Sequence, residues 1–101
     1  MEQALINIIN ESCKSADEIL NGLKRGSIAH EEGLTLLDHC RNTIYAAYDM
    51  RIEMAMKEKY SEGSINQIMS AKEFRIKDLD AAVNIYMESR KQNSDVAKQF
   101  K

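Results

Sequence analysis

The stretch LKRGSIAHEEGLTLLDHC, residues 23–40, decides the fold, because it contains the signals that end one helix and begin another. Two basic residues precede Gly26, where positive charge suits the negative end of a helix dipole. Gly26 itself can adopt the left-handed conformation that closes a helix. Ser27 is then predicted to be the N-cap of a second helix, and two glutamates follow near its positive end. The segment therefore predicts a tight reversal between two helices.

Arg25 and His30 in the same segment are separated by four residues, the spacing of the catalytic pair in HEPN-like helical ribonucleases. In such an enzyme the pair is held in a helix that faces a partner subunit. Here a glycine and a predicted N-cap lie between the two residues, so a turn sets their geometry. We therefore predict no catalytic residue, and a ribonuclease that uses Arg25 and His30 remains a second alternative function. His39 lies on the polar flank of the second helix, where a solvated side chain is expected.

The first helix is predicted over residues 3–24, working back from the reversal. Its apolar side chains recur at steps of three and four along one face: Leu5, Ile9, Ala16, Ile19, Leu20 and Leu23. Residues 15–18 (SADE) have the form of a capping box and would permit a break in this helix. The unbroken apolar stripe favours one continuous helix.

Two longer helices are predicted over residues 29–60 and 65–91. The stripe of the second helix comprises Leu37, Cys40, Ile44, Ala47, Tyr48 and Ala55. That of the third comprises Ile65, Ile68, Met69, Ile76, Leu79, Val83, Tyr86 and Met87. The SEGS segment, residues 61–64, makes the second reversal, and residues 64–67 form a capping box. Such a short connection makes its two helices antiparallel neighbours.

The composition agrees with an all-α protein of one domain. The chain has 101 residues, 44% of them hydrophobic, and no proline to interrupt a helix. Residues 1–91 are predicted to form a three-helix bundle with a long antiparallel hairpin, and residues 92–101 a frayed or mobile tail. The formal net charge of −2 argues against a nucleic-acid binder, and no apolar run is long enough for a membrane. Two cysteines without a signal peptide indicate reduced thiols and a cytoplasmic protein, and we expect no metal or cofactor.

Candidate site residues are those that break the apolar pattern. Arg51 and Lys72 lie within the stripes of the second and third helices. Their aliphatic stems can cover the core while the charged heads reach water, or the heads can pair with an acidic partner. Tyr45 and Tyr48 lie near Arg51 among several methionines, a composition typical of adaptable binding surfaces.

Phe74 and Ile85 point away from the core face of the third helix, with Ala81 between them on the same flank. They either contact the first helix or form an interface with a second subunit or a partner. The long hairpin is also predicted to extend beyond the shorter first helix and to leave apolar positions uncovered, so we predict a homo-oligomer, with a dimer favoured.

The predicted function is a small module that binds a protein partner. It would act as a regulator, an inhibitor or a chaperone-like adaptor of the kind that phages and bacteria encode. The first alternative is a binder of a small anionic ligand such as a nucleotide at a subunit interface, where Arg51, Lys72 and a tyrosine could hold phosphate and base. No glycine-rich phosphate loop accompanies these residues.

Overall fold

A computed structural model describes the backbone of residues 1–99 and the side chains of residues 1–92, and this part of the chain is all-helical. Its three helices are α1 (Glu2–Arg25), α2 (His30–Lys57) and α3 (Glu62–Gln99). The radius of gyration is 17.1 Å, and the extents are 63 × 21 × 14 Å. A compact chain of this length would have a radius of gyration of about 13 Å. The molecule is therefore elongated along its helices.

The reversal between α1 and α2 forms where the sequence predicts it, but with a different N-cap. Gly26 adopts a left-handed conformation with φ of 76°, and its N–H donates to the Leu23 carbonyl. The backbone N–H and the hydroxyl of Ser27 both donate to the carbonyl of Gly22, at 2.9 and 3.2 Å. Ser27 therefore caps the end of α1. The predicted N-cap role for Ser27 is wrong, because Ala29 precedes α2 and makes no side-chain capping bond.

The second reversal is also shifted from its predicted position. Helix α2 ends at Lys57, and Lys59 adopts a left-handed conformation with φ of 58°. The backbone N–H of Ser64 donates to the Ser61 hydroxyl oxygen at 3.1 Å, which makes Ser61 the N-cap of α3. The predicted capping box that begins at Ser64 is therefore wrong, since this serine lies within the first turn of α3.

Helix α3 continues to Gln99, beyond its predicted end near residue 91. The side chains of residues 93–101, and the backbone of the last two, lie outside the described residues. The frayed or mobile tail over residues 92–101 thus stays a prediction.

Apolar packing is concentrated between α1 and α2. The buried apolar residues of these two helices are Leu5, Ile9, Ala16, Leu20, Leu23, Leu37, Cys40, Ile44, Ala47, Tyr48 and Ala55. In the described part of α3 they are Ile68, Leu79 and Tyr86. The predicted stripes of α1 and α2 are confirmed, and α1 is continuous. The stripe of α3 is confirmed in part, because Met69 and Met87 are exposed.

Gly33 is a position in α2 where the two helices pack closely. It is buried, and an added Cβ atom would lie 2.6 Å from Cγ of Leu23. The absent side chain therefore lets α1 and α2 approach each other directly after the turn.

Polar contacts join α3 to α2 along its length. They pair Lys72 with Asp49, Asp80 with Arg41, and Tyr86 with His30. Successive turns of α3 therefore meet successively earlier turns of α2. Within the described residues, no helix has a stretch long and apolar enough to cross a membrane.

Candidate interaction surfaces

The outer face of α3 carries the two apolar side chains that the sequence singled out. Phe74 is 68% exposed and Ile85 is 66% exposed, with the exposed Ala81 between them. Eleven residues correspond to about three helical turns, so Phe74 and Ile85 lie on one line roughly 16 Å apart. Neither side chain is covered by α1. We call Phe74, Ala81 and Ile85 the outer stripe.

A groove between α2 and α3 forms a second apolar surface. Its cavity has a volume of about 550 Å³. The apolar lining consists of Tyr45, Ile52, Met69 and Ile76. The polar lining consists of Asn66, Ser70, Lys72, Glu73 and Lys77. Met69 is 50% exposed, so much of the apolar lining is open to solvent.

Lys72 is held at this groove by two neighbours on α2. Its Nζ atom donates to Oδ1 of Asp49 at 2.7 Å and lies 3.8 Å from the ring centroid of Tyr45. The hydrogen bond that Lys72 donates to Asp49 is the main cause of the raised pKa of Lys72, although partial burial opposes it. The ammonium group therefore lies against the face of the Tyr45 ring at the distance of a cation–π contact.

Arg51 lies at the end of the molecule where α1 begins. Its side chain is 16% exposed, and Nη2 lies 3.5 Å from Oε1 of Glu2. The guanidinium carbon lies 5.9 Å from the ring centroid of Tyr48, and Nε is buried without an acceptor among the described residues. The Tyr60 hydroxyl donates to Oε2 of Glu2 at 2.8 Å and, with the charge of that carboxylate, raises the pKa of Tyr60 to about 12. Glu2 thus links the start of α1 to α2 and the loop before α3.

The structure separates the six candidate residues into three places. Tyr45 and Lys72 lie together at the groove, and Phe74 and Ile85 lie on the outer stripe. Tyr48 is only 3% exposed and belongs to the core, where it supports Arg51. Arg51 and Lys72 line different cavities, and each is paired with a different carboxylate. Within one chain they therefore lie at separate places, and the phosphate-and-base site at a subunit interface stays a prediction.

His30 is positioned by α3 and not by Arg25. Its Nδ1 atom lies 2.8 Å from the Tyr86 hydroxyl oxygen, and the two ring centroids are 5.8 Å apart. Arg25 is exposed at the last position of α1. His30 and Tyr86 are 56 residues apart in the sequence. Both could be assigned to helices, but their contact could not be predicted from the sequence.

No family model matches this chain, and no curated protein or solved structure is significantly similar to it. Among the residues that the structure describes, no group of three His, Cys, Asp or Glu side chains could hold a metal ion. Any functional assignment has to come from the chain's own surfaces.

Proposed function

We propose that this protein is an interaction module that binds a macromolecular partner and works as a homodimer. Its role would be that of a regulator, an inhibitor or a chaperone-like adaptor. The observation that carries the proposal is the exposure of Phe74 and Ile85, each about two thirds, on one line of α3. A single exposed apolar residue is common, but aligned large apolar side chains are typical of an interface.

A second copy of the chain suits the outer stripe. In the antiparallel hairpin of α2 and α3, the stripe lies on the side of α3 that α1 and α2 leave open. If two copies pair antiparallel about a two-fold axis, Phe74 of each can lie opposite Ile85 of the other. The same register places Ala81 next to the axis, where its small side chain permits close approach. Both ends of the stripe would then be covered by one symmetric contact.

The groove between α2 and α3 suits a partner protein. Its volume of about 550 Å³ is in the range typical of binding clefts, about 300–1,000 Å³. Met69 and Tyr45 offer an adaptable apolar lining, and the paired Lys72 and Asp49 supply a fixed polar edge. An amphipathic helix of the partner could lay its apolar face in this groove.

Sedimentation velocity tests the self-association directly. Wild-type protein at tens of micromolar is expected to sediment as a dimer. Phe74→Glu/Ile85→Glu should sediment as a monomer, because two charges would be buried without partners in the contact. Circular dichroism should report unchanged helix content, since both side chains are exposed in the single chain.

A matched control uses exposed apolar residues of the other two helices. Ile8 lies on α1 and Met50 on α2, and both are exposed. Ile8→Glu/Met50→Glu adds the same two charges and should remain dimeric. If the wild type is a monomer at these concentrations, the protein does not work as a homodimer. If Phe74→Glu/Ile85→Glu loses helix content, the outer stripe belongs to the core of the single chain.

The partner-binding part has its own test. A protein captured from native-host extract by the wild type should be lost with Met69→Glu, which places a charge in the groove. The outer-stripe variant should still capture it. Turnover of a substrate by the purified chain would contradict a function by binding alone.

A further inference from the structure

The end of the molecule where α1 turns into α2 has a cavity that the proposed function does not use. Its volume is about 180 Å³, and its lining comes from two helices: Leu23 and Lys24 of α1, and Tyr86, Ser89 and Arg90 of α3. Lys24 and Arg90 therefore bring two positive charges to one small space.

Among the residues whose side chains the structure describes, no carboxylate lines this cavity. The linings of four other cavities of the described chain each include at least one aspartate or glutamate. Arg41, Arg51 and Lys72 each have a carboxylate oxygen within 4.0 Å. Among the described residues, neither Lys24 nor Arg90 has such a contact. Two uncompensated cations around one cavity would attract an anion.

The position of Lys24 alone has a structural explanation, since cations stabilise the C-terminal end of a helix. Arg90 has no such role, because α3 continues to Gln99. The carbonyls of Gly22 and Leu23 already accept hydrogen bonds from the turn, so they present less negative charge to an incoming anion. The positive charge at this end of the molecule is therefore greater than the charge needed to stabilise the C-terminal end of α1.

The base of the cavity is fixed by hydrogen bonding. The hydroxyl of buried Tyr86 contacts Nδ1 of His30, which holds the tyrosine against the first turn of α2. Ser89 adds a hydroxyl to the lining, and the exposed Arg25 and Lys91 follow Lys24 and Arg90 directly in sequence. Glutamates 31 and 32 of α2 are exposed and are not part of the lining.

We propose that this cavity, formed by Lys24, Ser89 and Arg90 above Tyr86, binds a phosphate group. An arginine fork and a lysine ammonium group are suited to a tetrahedral oxyanion, and the hydroxyl of Ser89 can donate a further hydrogen bond. A volume of about 180 Å³ is below the roughly 300 Å³ at which clefts hold drug-sized molecules. Only the phosphate group therefore fits inside the cavity. It can be the free ion or the terminal phosphate of a larger metabolite that extends outside. This proposal is independent of the dimer and of the groove.

Nuclear magnetic resonance titration of the isotope-labelled full chain tests this site. Inorganic phosphate, added at constant ionic strength against chloride, should cause saturable shifts in the last turn of α1 and around residues 86–90. Lys24→Gln/Arg90→Gln should weaken binding at least about tenfold, because two charge-assisted hydrogen bonds are lost. Lys14→Gln/Lys57→Gln changes the net charge equally, at exposed positions elsewhere, and should leave the affinity unchanged.

The outcomes separate a site from general charge screening. Shifts that do not saturate, or an equal loss of affinity in both double variants, would overturn the proposal. A nucleoside monophosphate serves as the second probe. Binding equal to that of inorganic phosphate supports a site for the ion itself, and tighter binding at the same amides supports a site for the phosphate of a larger molecule.

Discussion

The α1–α2 pair and helix α3 are stabilised in different ways. Buried apolar side chains fill the contact between α1 and α2, and Gly33 allows these helices to approach closely. Helix α3 is the longest, yet Ile68, Leu79 and Tyr86 are the buried apolar residues of its described part. Its remaining apolar contacts with the core come from half-buried side chains such as Ile76 and Val83, and three polar contacts with α2 lie at the edge of the core.

This difference assigns separate tasks to the two regions. The α1–α2 pair supplies most of the stability, because burial of apolar area dominates the free energy of folding. Helix α3 keeps the outer stripe and one wall of the groove exposed, which a binding surface requires. Substitutions in the two regions should therefore differ in their effects on stability.

Three isoleucine-to-alanine substitutions compare the two regions with the same change of side chain. Ile44 of α2 is the most deeply buried large side chain, Ile76 of α3 is half-buried, and Ile85 of α3 is exposed. Ile44→Ala should lower the free energy of unfolding by about 2–5 kcal/mol, because it leaves a cavity. Ile76→Ala should cost less than half as much, and Ile85→Ala close to nothing in the monomer. Urea denaturation at low protein concentration measures all three, and equal losses at residues 44 and 76 would contradict the comparison.

Two glycine-to-alanine substitutions should have opposite signs. At Gly33 a Cβ atom would collide with Leu23, so overpacking should destabilise the chain by about 1–2 kcal/mol. Nothing lies within 4 Å of a Cβ atom at Gly63, in the first turn of α3. Gly63→Ala should therefore stabilise by about 0.5–1 kcal/mol through helix propensity. Thermal unfolding distinguishes them, and stabilisation by Gly33→Ala would show that the α1–α2 contact is looser than described.

Removing a polar contact of α3 should have a smaller, local effect. Asp49→Asn deprives Lys72 of its ion-pair partner, and the pair is partly exposed, so we expect a loss of about 0.5–1 kcal/mol. Because the pKa of Lys72 is raised in the folded chain, this contribution is complete below its unfolded pKa of about 10.5 and disappears as pH rises through the folded value. Amide hydrogen exchange should accelerate in α3 more than in α1. Uniform acceleration would mean that α3 does not open separately.

The smallest predicted effect is spectroscopic. With its pKa raised to about 12, Tyr60 should ionise well above the ordinary tyrosine value of about 10. Its contact with Glu2 therefore contributes to stability below about pH 10 and is lost as pH rises towards 12. Phenolate absorbance of the wild type minus that of Tyr60→Phe isolates this titration. Glu2→Gln should return the pKa of Tyr60 towards 10. An unchanged pKa in this variant would show that Glu2 does not raise it.

The sequence predicted the helices and most of the core because both depend on local periodicity. The first helix was located closely, since Gly26 and the preceding basic residues are strong termination signals. The start of α3 was misplaced because Ser61 and Ser64 are equally plausible caps, and only the observed hydrogen bond selects Ser61. The end of α2 was missed because left-handed Lys59 is a residue type that gives no turn signal.

The site was predicted only as far as a helical pattern allows. Phe74 and Ile85 were identified because exposure follows from their position on the helix face. The partners of Arg51 and Lys72 could not be predicted, because Glu2 and Asp49 approach them through the packing of separate helices. For the same reason the cavity between Lys24 and Arg90 has no signature in the sequence.

Photo-crosslinking from position 74 tests whether the outer stripe is a binding surface. A benzophenone amino acid in place of Phe74 should yield an adduct of twice the chain mass, with the crosslink near Ile85 of the second copy. The same probe in place of Met50, which is exposed on α2, should yield no such adduct. Crosslinking from position 50 but not from position 74, at concentrations where the wild type self-associates, would show that the outer stripe is not the interface.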